Sequence, residues 1–370
     1  MNISEVVQYL EAVAPKELQA DYDNAGLLTG SQQWECSGIL VSLDVTEDIL
    51  VEAEQKGCNL VVAHHPIIFK GLKTITANSF VERIIISAIK KDIAIYAIHT
   101  NLDSVMGGVN GEIANRLGLQ DVSILQPVKN VLKKLITLVP HSHADEVREA
   151  LFAAGAGNFS QYDHVSFNSN GIGTFTAKQG AKPFLGDIGK AHNEEETKME
   201  VMMQSYNQHN VIQALLSSHP YQEVAYDIIS LKNETPGIGS GGIGTLSQPI
   251  PEHNFMELLV KTFDLQVVKH TKLLGKDISR VALCGGSGSF LIQKAIQAKA
   301  DVFVTADIKY HDFFEAEGKI VIADIGHYES EQYTSDLLTR ILREKFLNFA
   351  VQKTDLNTNP VGYFLKSQGS

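Results

Sequence analysis

The chain has 370 residues, of which 44% are hydrophobic and 20% charged, and this length and composition favour two or three globular domains. Its formal net charge of -12 argues against general nucleic-acid binding, because proteins of that class neutralise phosphates with a basic face. No apolar run approaches the roughly 20 residues that span a bilayer, and the acidic N-terminus is not a secretory signal. The three cysteines are far apart, which excludes a disulfide framework and a cysteine zinc site and predicts a cytoplasmic protein.

The first third of the chain alternates between helical and strand-like patterns. The N-terminus predicts an amphipathic helix that begins with a capping box formed by Asn2 and Glu5 and ends at Pro15. Buried strands are predicted by three apolar runs and, more weakly, by a fourth segment: GILVSLDV, NLVVAHH, IAIYAIHT and the residues around Val122. Helical patterns lie between the strands, so we expect βαβ units and a largely parallel or mixed sheet.

The middle of the chain follows a different order. From residue 132 the patterns indicate strand, helix, strand, strand, helix and strand, which is the ferredoxin-like order. We therefore predict an inserted ferredoxin-like α+β domain at residues 128–235. The glycine-rich segment ETPGIGSGGIG is predicted to return the chain to the first domain as a flexible connector.

The last third repeats the alternation of the first. A gapless alignment of the two ends places Ala53 on Ala295 and His65 on Asp307. Sequence identity is low, but the matching order of strand, helix, strand and polar end predicts an internal duplication. The expected fold class is α/β: a duplicated α/β domain formed by residues 1–127 and 236–370 and interrupted by the insertion.

Two adjacent histidines, His64 and His65, close the strand NLVVAHH, and functional groups in α/β folds gather at the carboxyl ends of strands. Adjacent side chains on an extended chain point to opposite sides. The pair therefore suits two neighbouring metals, or one metal and one residue that supports a ligand. Pro66 keeps His65 in the extended region. The alternative is that one histidine caps the strand and the other is solvated.

Two further polar groups follow later strands. His99 is a core histidine or supports a ligand, and Asp103 lies in a loop as a metal ligand or as a residue that caps a turn. Ser330 is expected to be the N-cap of the final helix, with Glu331 in its first turn. His327 and Glu331 can converge on one ion; the alternative is a loop histidine and a capping carboxylate.

Together these strand ends offer a mixed nitrogen and oxygen ligand set: His64, His65, Asp103, His327 and Glu331. Such a set suits zinc, with iron or manganese as alternatives. Five ligands are too many for one catalytic ion that keeps an open position. They suit two divalent ions about 3.5–4 Å apart, bridged by a carboxylate and a water. Glu331 or Asp103 could supply the bridge.

Three other polar features occur near strand ends. Asp44 could cap the helix that follows it, and Asp307 could accept a hydrogen bond from a ligand histidine. The glycines of CGGSGS, which start at Cys284, either cradle an anion with backbone N–H groups or simply permit a tight turn.

Seven segments occur in this order along the chain: DYDNAGLLTG, SLDVT, AHHPIIF, AIHTNLD, CGGSGS, TADIKYHD and DIGHYESE. They resemble the signature segments of the NIF-three-like family, whose members are often named GTP cyclohydrolase 1 type 2 homologues. The middle block contains GNFSQYDHVSFNSNGIGTF, GAKPFLG and HPYQEVAYDI and resembles the PII/CutA-like domain inserted in the longer bacterial members.

The resemblance implies a dinuclear metal centre at the same five positions. It also implies a homohexamer, a hollow toroid such as a trimer of dimers, whose metal sites face an internal cavity. Tyr22 stands where the family usually has tryptophan, and Gln222 stands where glutamate is common. Neither is an expected ligand, so the departures put in doubt only a role of the inserted domain's own motif.

Three functions are compatible with such a site. A metal-dependent hydrolase would use metal-activated water; for a GTP cyclohydrolase the target would be C8 of the guanine ring, with His99 and His311 as the candidate acid or base. A phosphoesterase acting on small phosphorylated metabolites would use the same geometry at phosphorus. A non-enzymatic regulatory or scaffold hexamer would bind metal without turnover.

Overall fold

The computed structural model describes residues 1–158 and 162–364, so three residues of the segment GNFSQYDHV lie outside the described residues. The chain forms two compact units. The main unit consists of Met1–Gln126 and Gly237–Ser370, and the inserted unit consists of Pro127–Pro236. No helix in the described part of the chain is long and apolar enough to cross a membrane.

The first segment of the main unit contains the four predicted strands, β2 to β5, and in addition a strand, β1, that was not predicted: α1 (Ile3–Val13), β1 (Gly26–Thr29), β2 (Ile39–Ser42), α2 (Glu47–Gln55), β3 (Leu60–Ala63), α3 (Phe80–Lys90), β4 (Ala94–Ala97), α4 (Thr100–Asp103), α5 (Val109–Arg116) and β5 (Gln120–Lys129). The expected start of α1 is confirmed, because the Asn2 backbone N–H donates to the Glu5 carboxylate at 2.7 Å. The Thr46 hydroxyl accepts a hydrogen bond from the Ile49 N–H and caps α2.

The described residues of the inserted unit form four strands and two α-helices: β6 (Leu132–Pro140), α6 (Ala144–Ala153), β7 (Ser166–Thr176), β8 (Ala191–Gln204), α7 (Gln208–Ser218) and β9 (Tyr226–Ser230). The strands form an antiparallel sheet in the order β7-β8-β6-β9. Both helices contribute to one apolar core with the sheet, in which Val147 and Leu215 pack with Met199. The predicted order of elements in this region is therefore present.

The returning segment completes the main unit: β10 (Glu234–Pro251), α8 (Glu252–Phe263), β11 (Lys269–His270), β12 (Asp277–Ser287), α9 (Ile292–Gln297), β13 (Val302–Ala306), β14 (Val321–Asp324), α10 (His327–Glu331), α11 (Thr334–Lys345) and β15 (Val351–Lys353). The prediction of a flexible connector is wrong, because its glycines lie in β10, which pairs with β12. A Cβ at Gly241 would lie 2.8 Å from the Leu283 carbonyl oxygen, so glycine permits this close pairing.

The part of the main unit that the structure describes has two mixed sheets, which confirms the expected α/β class. The first has the order β1-β4-β3-β2-β15, with β1 antiparallel to its neighbour and the others parallel. The second has the order β11-β14-β13-β12-β10-β5, in which β12, β13 and β14 are parallel. Alternate residues of β3 face different cores: Leu60 packs in a core that also contains Val302, whereas Val61 packs in a second core.

Strand pairing follows the same register in both sheets. Ile39 of β2 lies opposite Leu60 of β3, and the aligned residues Val281 of β12 and Val302 of β13 lie opposite each other. The helix between each pair of strands also falls at aligned positions, α2 in the first sheet and α9 in the second. This match is what an internal duplication predicts.

Candidate metal centre

His64 follows β3 directly and is completely buried. Its Nδ1 lies 2.8 Å from the carbonyl oxygen of Ile98, which can only accept, so Nδ1 carries the proton and Nε2 carries the lone pair. Within the described part of the chain Nε2 has no hydrogen-bond partner, although it is buried. A buried lone pair fixed in this way is the usual arrangement of a histidine that ligates a metal.

The ring of His65 lies beside that of His64, with the two centroids 4.9 Å apart, so the expectation that the adjacent side chains point to opposite sides is wrong. Its Nδ1 lies 2.7 Å from Asp44 Oδ1, and its Nε2 lies 2.9 Å from Glu331 Oε2. The expectation that Asp44 caps α2 is wrong, because that helix is capped by Thr46. Asp44 instead orients the His65 ring and accepts a second hydrogen bond, of 2.7 Å, from the Thr358 hydroxyl.

His327 and Glu331 lie one turn apart on α10, and His327 Nε2 is 3.0 Å from Glu331 Oε2. The predicted contact of Asp307 with a histidine is confirmed, since Asp307 Oδ2 lies 2.7 Å from His327 Nδ1. The prediction that Ser330 begins the final helix is wrong. Gly326 begins a separate five-residue helix, and α11 starts only after Glu331.

Asp103 ends the one-turn helix α4 rather than lying in an open loop. Its Oδ1 lies 3.7 Å from His64 Nε2 and, like that nitrogen, is buried without a hydrogen-bond partner among the described residues. Glu331 Oε2 lies 3.9 Å from the same His64 nitrogen. The carboxylate of Glu331 is therefore close to both histidines that follow β3.

The five residues predicted to be ligands form two groups that could hold metal ions. One group contains His64, Asp103 and Glu331, and the other contains His65, His327 and Glu331, so Glu331 belongs to both. His99 joins His64 and His65 in a third group. The geometry therefore brings together all five side chains that the sequence singled out.

The charges of this cluster perturb one another. Burial and the neighbouring Glu331 carboxylate raise the pKa of Asp103 to about 8. Contacts with Asp307 and Glu331 raise the pKa of His327 to about 11. Burial lowers the pKa of His65, but Asp44 and Glu331 outweigh this effect and raise it to about 9. Positive charge is therefore strongly favoured here, as at a site that exchanges protons for a metal ion.

The glycines at the end of β12 leave room for Glu331. The Gly285 N–H donates to Asn110 Oδ1 at 3.0 Å, and the Gly286 N–H donates to Ser330 Oγ at 2.9 Å, so both donors are used within the protein. Gly286 has φ +58°, and a Cβ there would collide with the Glu331 carboxylate. These glycines serve a turn and a close approach, which was one of the two interpretations, and these two N–H groups do not cradle an anion.

The two candidate acid or base residues differ in position. His99 Nδ1 lies 2.7 Å from Asp23 Oδ1, and the His99 ring centroid lies 5.2 Å from that of His64. His311 is exposed, its ring contacts Tyr310 and Phe314, and it belongs to none of the potential metal groups found among residues 1–158 and 162–364. The geometry therefore supports His99 more directly than His311.

Three supporting groups were missed in the sequence. Asp23 holds His99, the Ile98 carbonyl oxygen holds His64, and Thr358 holds Asp44. Asp23 lies within the segment DYDNAGLLTG, so that motif was an available signal. Thr358 lies in an irregular segment near the C-terminus, and no periodic pattern or strand end marks it.

Comparisons with known proteins agree over almost the whole chain. The family model described as Duf34/NIF3 (NGG1p interacting factor 3) matches residues 1–360. A Halalkalibacterium halodurans protein named "GTP cyclohydrolase 1 type 2 homolog" is 39% identical over 365 residues, covering 97% of this chain and 98% of that protein. A Bacillus subtilis protein of the same name is 36% identical over 365 residues, covering 96% of this chain and 98% of that protein.

The fold agrees with a solved structure as well. The crystal structure of a Bacillus cereus protein related to NIF3 is similar with a TM-score of 0.85 at 36% sequence identity. The similarity covers 98% of this chain and 99% of that chain. A Staphylococcus aureus protein, SA1388, is similar with a TM-score of 0.77 at 29% identity over 98% of this chain and 99% of that one.

Proposed function

Because the chain belongs to the Duf34/NIF3 family, as its sequence segments predicted, we propose that it binds two divalent metal ions and is a metal-dependent hydrolase of the GTP cyclohydrolase 1 type 2 type. The observation that carries the proposal is the position of Glu331. This buried carboxylate belongs to both potential metal groups and lies 2.9 Å from His65 and 3.0 Å from His327. A carboxylate shared in this way is the expected bridge of a two-metal site.

The donor atoms available at the site support this proposal. His64 and Asp103 each present a buried ligand atom that has no other partner in the described chain. His65 and His327 each have their Nδ1 bound by an aspartate, which leaves Nε2 directed at Glu331. Nitrogen and carboxylate donors without thiolate favour zinc, with iron or manganese as alternatives.

Two such ions would supply a water activated for attack on an electrophilic carbon, such as C8 of a guanine ring, or on phosphorus. The protein's own contribution is a proton carrier beside them. Asp23 holds His99 through Nδ1, so His99 can give or take a proton at Nε2. Burial raises the pKa of Asp23, but hydrogen bonds from His99 and Thr100 outweigh it and lower the pKa to about 2, so the carboxylate stays charged.

The test compares bound metal per chain, by elemental analysis, in the wild type and in a folded His65→Ala/Glu331→Ala variant. We expect about two ions in the wild type and clear loss in the variant, followed by turnover of GTP or of a member of a phosphoester panel by the loaded protein. Absence of metal after incubation with zinc or manganese would overturn the proposal. Two ions without turnover would leave a metal-binding regulatory or scaffold protein.

The remaining expectations about assembly are also proposals. The inserted unit is proposed to have a ferredoxin-like, PII/CutA-like fold, which its strand order β7-β8-β6-β9 supports. We propose a homohexameric toroid, and light scattering of the purified chain at several concentrations would test it. A cytoplasmic location is supported by three buried cysteines, Cys36, Cys58 and Cys284, none of which is in a disulfide.

A further inference from the structure

Two exposed aromatic rings lie beside the candidate metal centre. Tyr22 is 68% exposed and Phe69 is 44% exposed, and their ring centroids are 6.1 Å apart. Single exposed aromatic side chains are common, but two in contact at the edge of a polar site form a small apolar surface. Phe69 lies 6.3 Å from the His99 ring, which in turn lies 5.2 Å from the His64 ring. The aromatic pair thus continues directly into the metal centre.

The loops that carry these rings are fixed although the rings themselves are exposed. The side chain of Asp23, next to Tyr22, is fully buried and accepts hydrogen bonds from His99 and from the Thr100 N–H, the latter at 3.0 Å. The side chain of Asn24 donates to the Ile68 carbonyl oxygen at 2.6 Å and so ties the loop of Tyr22 to the loop of Phe69. Loops that are held in place before a ligand arrives lose little conformational entropy on binding.

We propose that Tyr22 and Phe69 bind the base of a purine nucleotide substrate and hold it next to His99 and the metal ligands. The two ring planes are inclined by 47°, so one ring lies against the face of the base and the other contacts its edge. The inference rests on the proposed function, because it places the polar part of the same substrate at the metals. An aromatic face attracts every flat base by stacking, and the adjacent polar cluster supplies the specific contacts. A substrate without a ring would leave both aromatic side chains in water.

Isothermal titration calorimetry on the metal-loaded wild type tests the proposal with two probes. These are guanosine 5′-monophosphate and ribose 5-phosphate, which lacks the aromatic base. We expect the nucleotide to bind at least about tenfold more tightly than the sugar phosphate. Tyr22→Ala and Phe69→Ala should each weaken nucleotide binding about tenfold and leave ribose 5-phosphate binding unchanged. Tyr22→Trp should retain the affinity for the nucleotide. Phe167→Ala, which removes a 66% exposed ring of the inserted unit, is the matched control and should change neither affinity.

Equal affinities for the two probes, or alanine variants that bind both as the wild type does, would overturn the proposal. A change of subunit number by light scattering without a change in nucleotide binding would also overturn it, and would assign the rings to a contact between copies of the chain. Metal content is measured on the same samples. If two ions are bound but the alanine variants do not change the nucleotide affinity, only this inference is refuted. Absence of metal would refute the proposed function.

Discussion

The two halves of the main unit share one backbone pattern but carry different side chains where their parallel strands end. In the first half, Asp44, His65 and His99 each lie two residues beyond the end of β2, β3 and β4. In the second half, Gly286 is the next-to-last residue of β12, Asp307 comes directly after β13, and His327 lies three residues beyond β14. The registers of the strand pairs are the same, so the difference lies in the side chains and not in the frame.

In both halves an aspartate at one strand end binds a histidine at the next. The Asp44 to His65 and Asp307 to His327 distances are both 2.7 Å, as expected when neighbouring strands lie about 4.8 Å apart. The pair is displaced by one strand between the halves. The position aligned with Asp44 is then Gly286, and its missing side chain admits Glu331. A duplicated frame can therefore build one asymmetric site.

The largest expected effect comes from the residue that both metal groups share. Glu331→Gln removes the negative charge between His65 and His327 while it keeps the size of the side chain. We expect both ions to bind more weakly by over about 100-fold, because residues that merely orient ligands already contribute 10–100-fold. Elemental analysis after dialysis measures this, with the exposed Glu344→Gln on α11 as the control. Retention of two ions would show that Glu331 is not shared.

Gly286→Ala tests whether the second half needs glycine where the first has aspartate. The added Cβ would collide with the Glu331 carboxylate, and the alanine would have to adopt φ +58°. We therefore expect a loss of stability of about 1–3 kcal/mol together with loss of metal. Gly57→Ala is a matched control, because Gly57 has φ +67° but no atom within 4 Å of the added Cβ. It should cost about 1 kcal/mol and keep the metal. The free energy of unfolding in urea and the metal content are measured for both variants. Equal values for Gly286→Ala and Gly57→Ala would contradict the steric argument.

The strand ends were predictable from the sequence because they depend on local patterns. Short apolar runs followed by polar residues located His64, His65, His327 and Asp307, and the parallel sheet then brings such ends together. The order of the inserted elements was predictable for the same reason, since each helix and strand has its own periodicity.

The remaining features depend on tertiary contacts that no local pattern reports. In the sequence, the glycines of β10 resemble a flexible connector. In the structure they belong to a strand, because β12 pairs with it and lies close to Gly241. Ser330 resembles a cap, but Gly326 with φ +90° starts the helix earlier. The roles of Asp44 and Thr358 depend on a contact between residues 314 positions apart. Local propensity is a weak guide wherever such contacts decide the structure.

Asp44→Asn and Asp307→Asn test whether the pairs Asp44–His65 and Asp307–His327 support the binding of the same ion. Each aspartate orients a histidine of the same group, so each variant should weaken one ion about 10–100-fold and leave the ion bound by His64 and Asp103. At limiting zinc we expect about one ion per chain in either variant, measured by competition with a chromogenic chelator. The exposed Asp277→Asn serves as control. Loss of both ions, or of neither, would mean that the halves do not divide the site in this way.

The smallest effect is expected at Asp23, which holds His99 as Asp307 holds His327. Because the folded-state pKa of Asp23 is about 2, below its ordinary value of 3.8, the charged carboxylate stabilises the fold above about pH 4. This contribution, at most about 2 kcal/mol, is lost as the pH falls through 2. The difference in free energy of unfolding between the wild type and Asp23→Asn should therefore be largest near pH 5 and shrink toward pH 2. If His99 carries protons and His327 binds an ion, Asp23→Asn should keep its metal, whereas Asp307→Asn should lose some. A loss of metal in Asp23→Asn would instead show that His99 is a ligand.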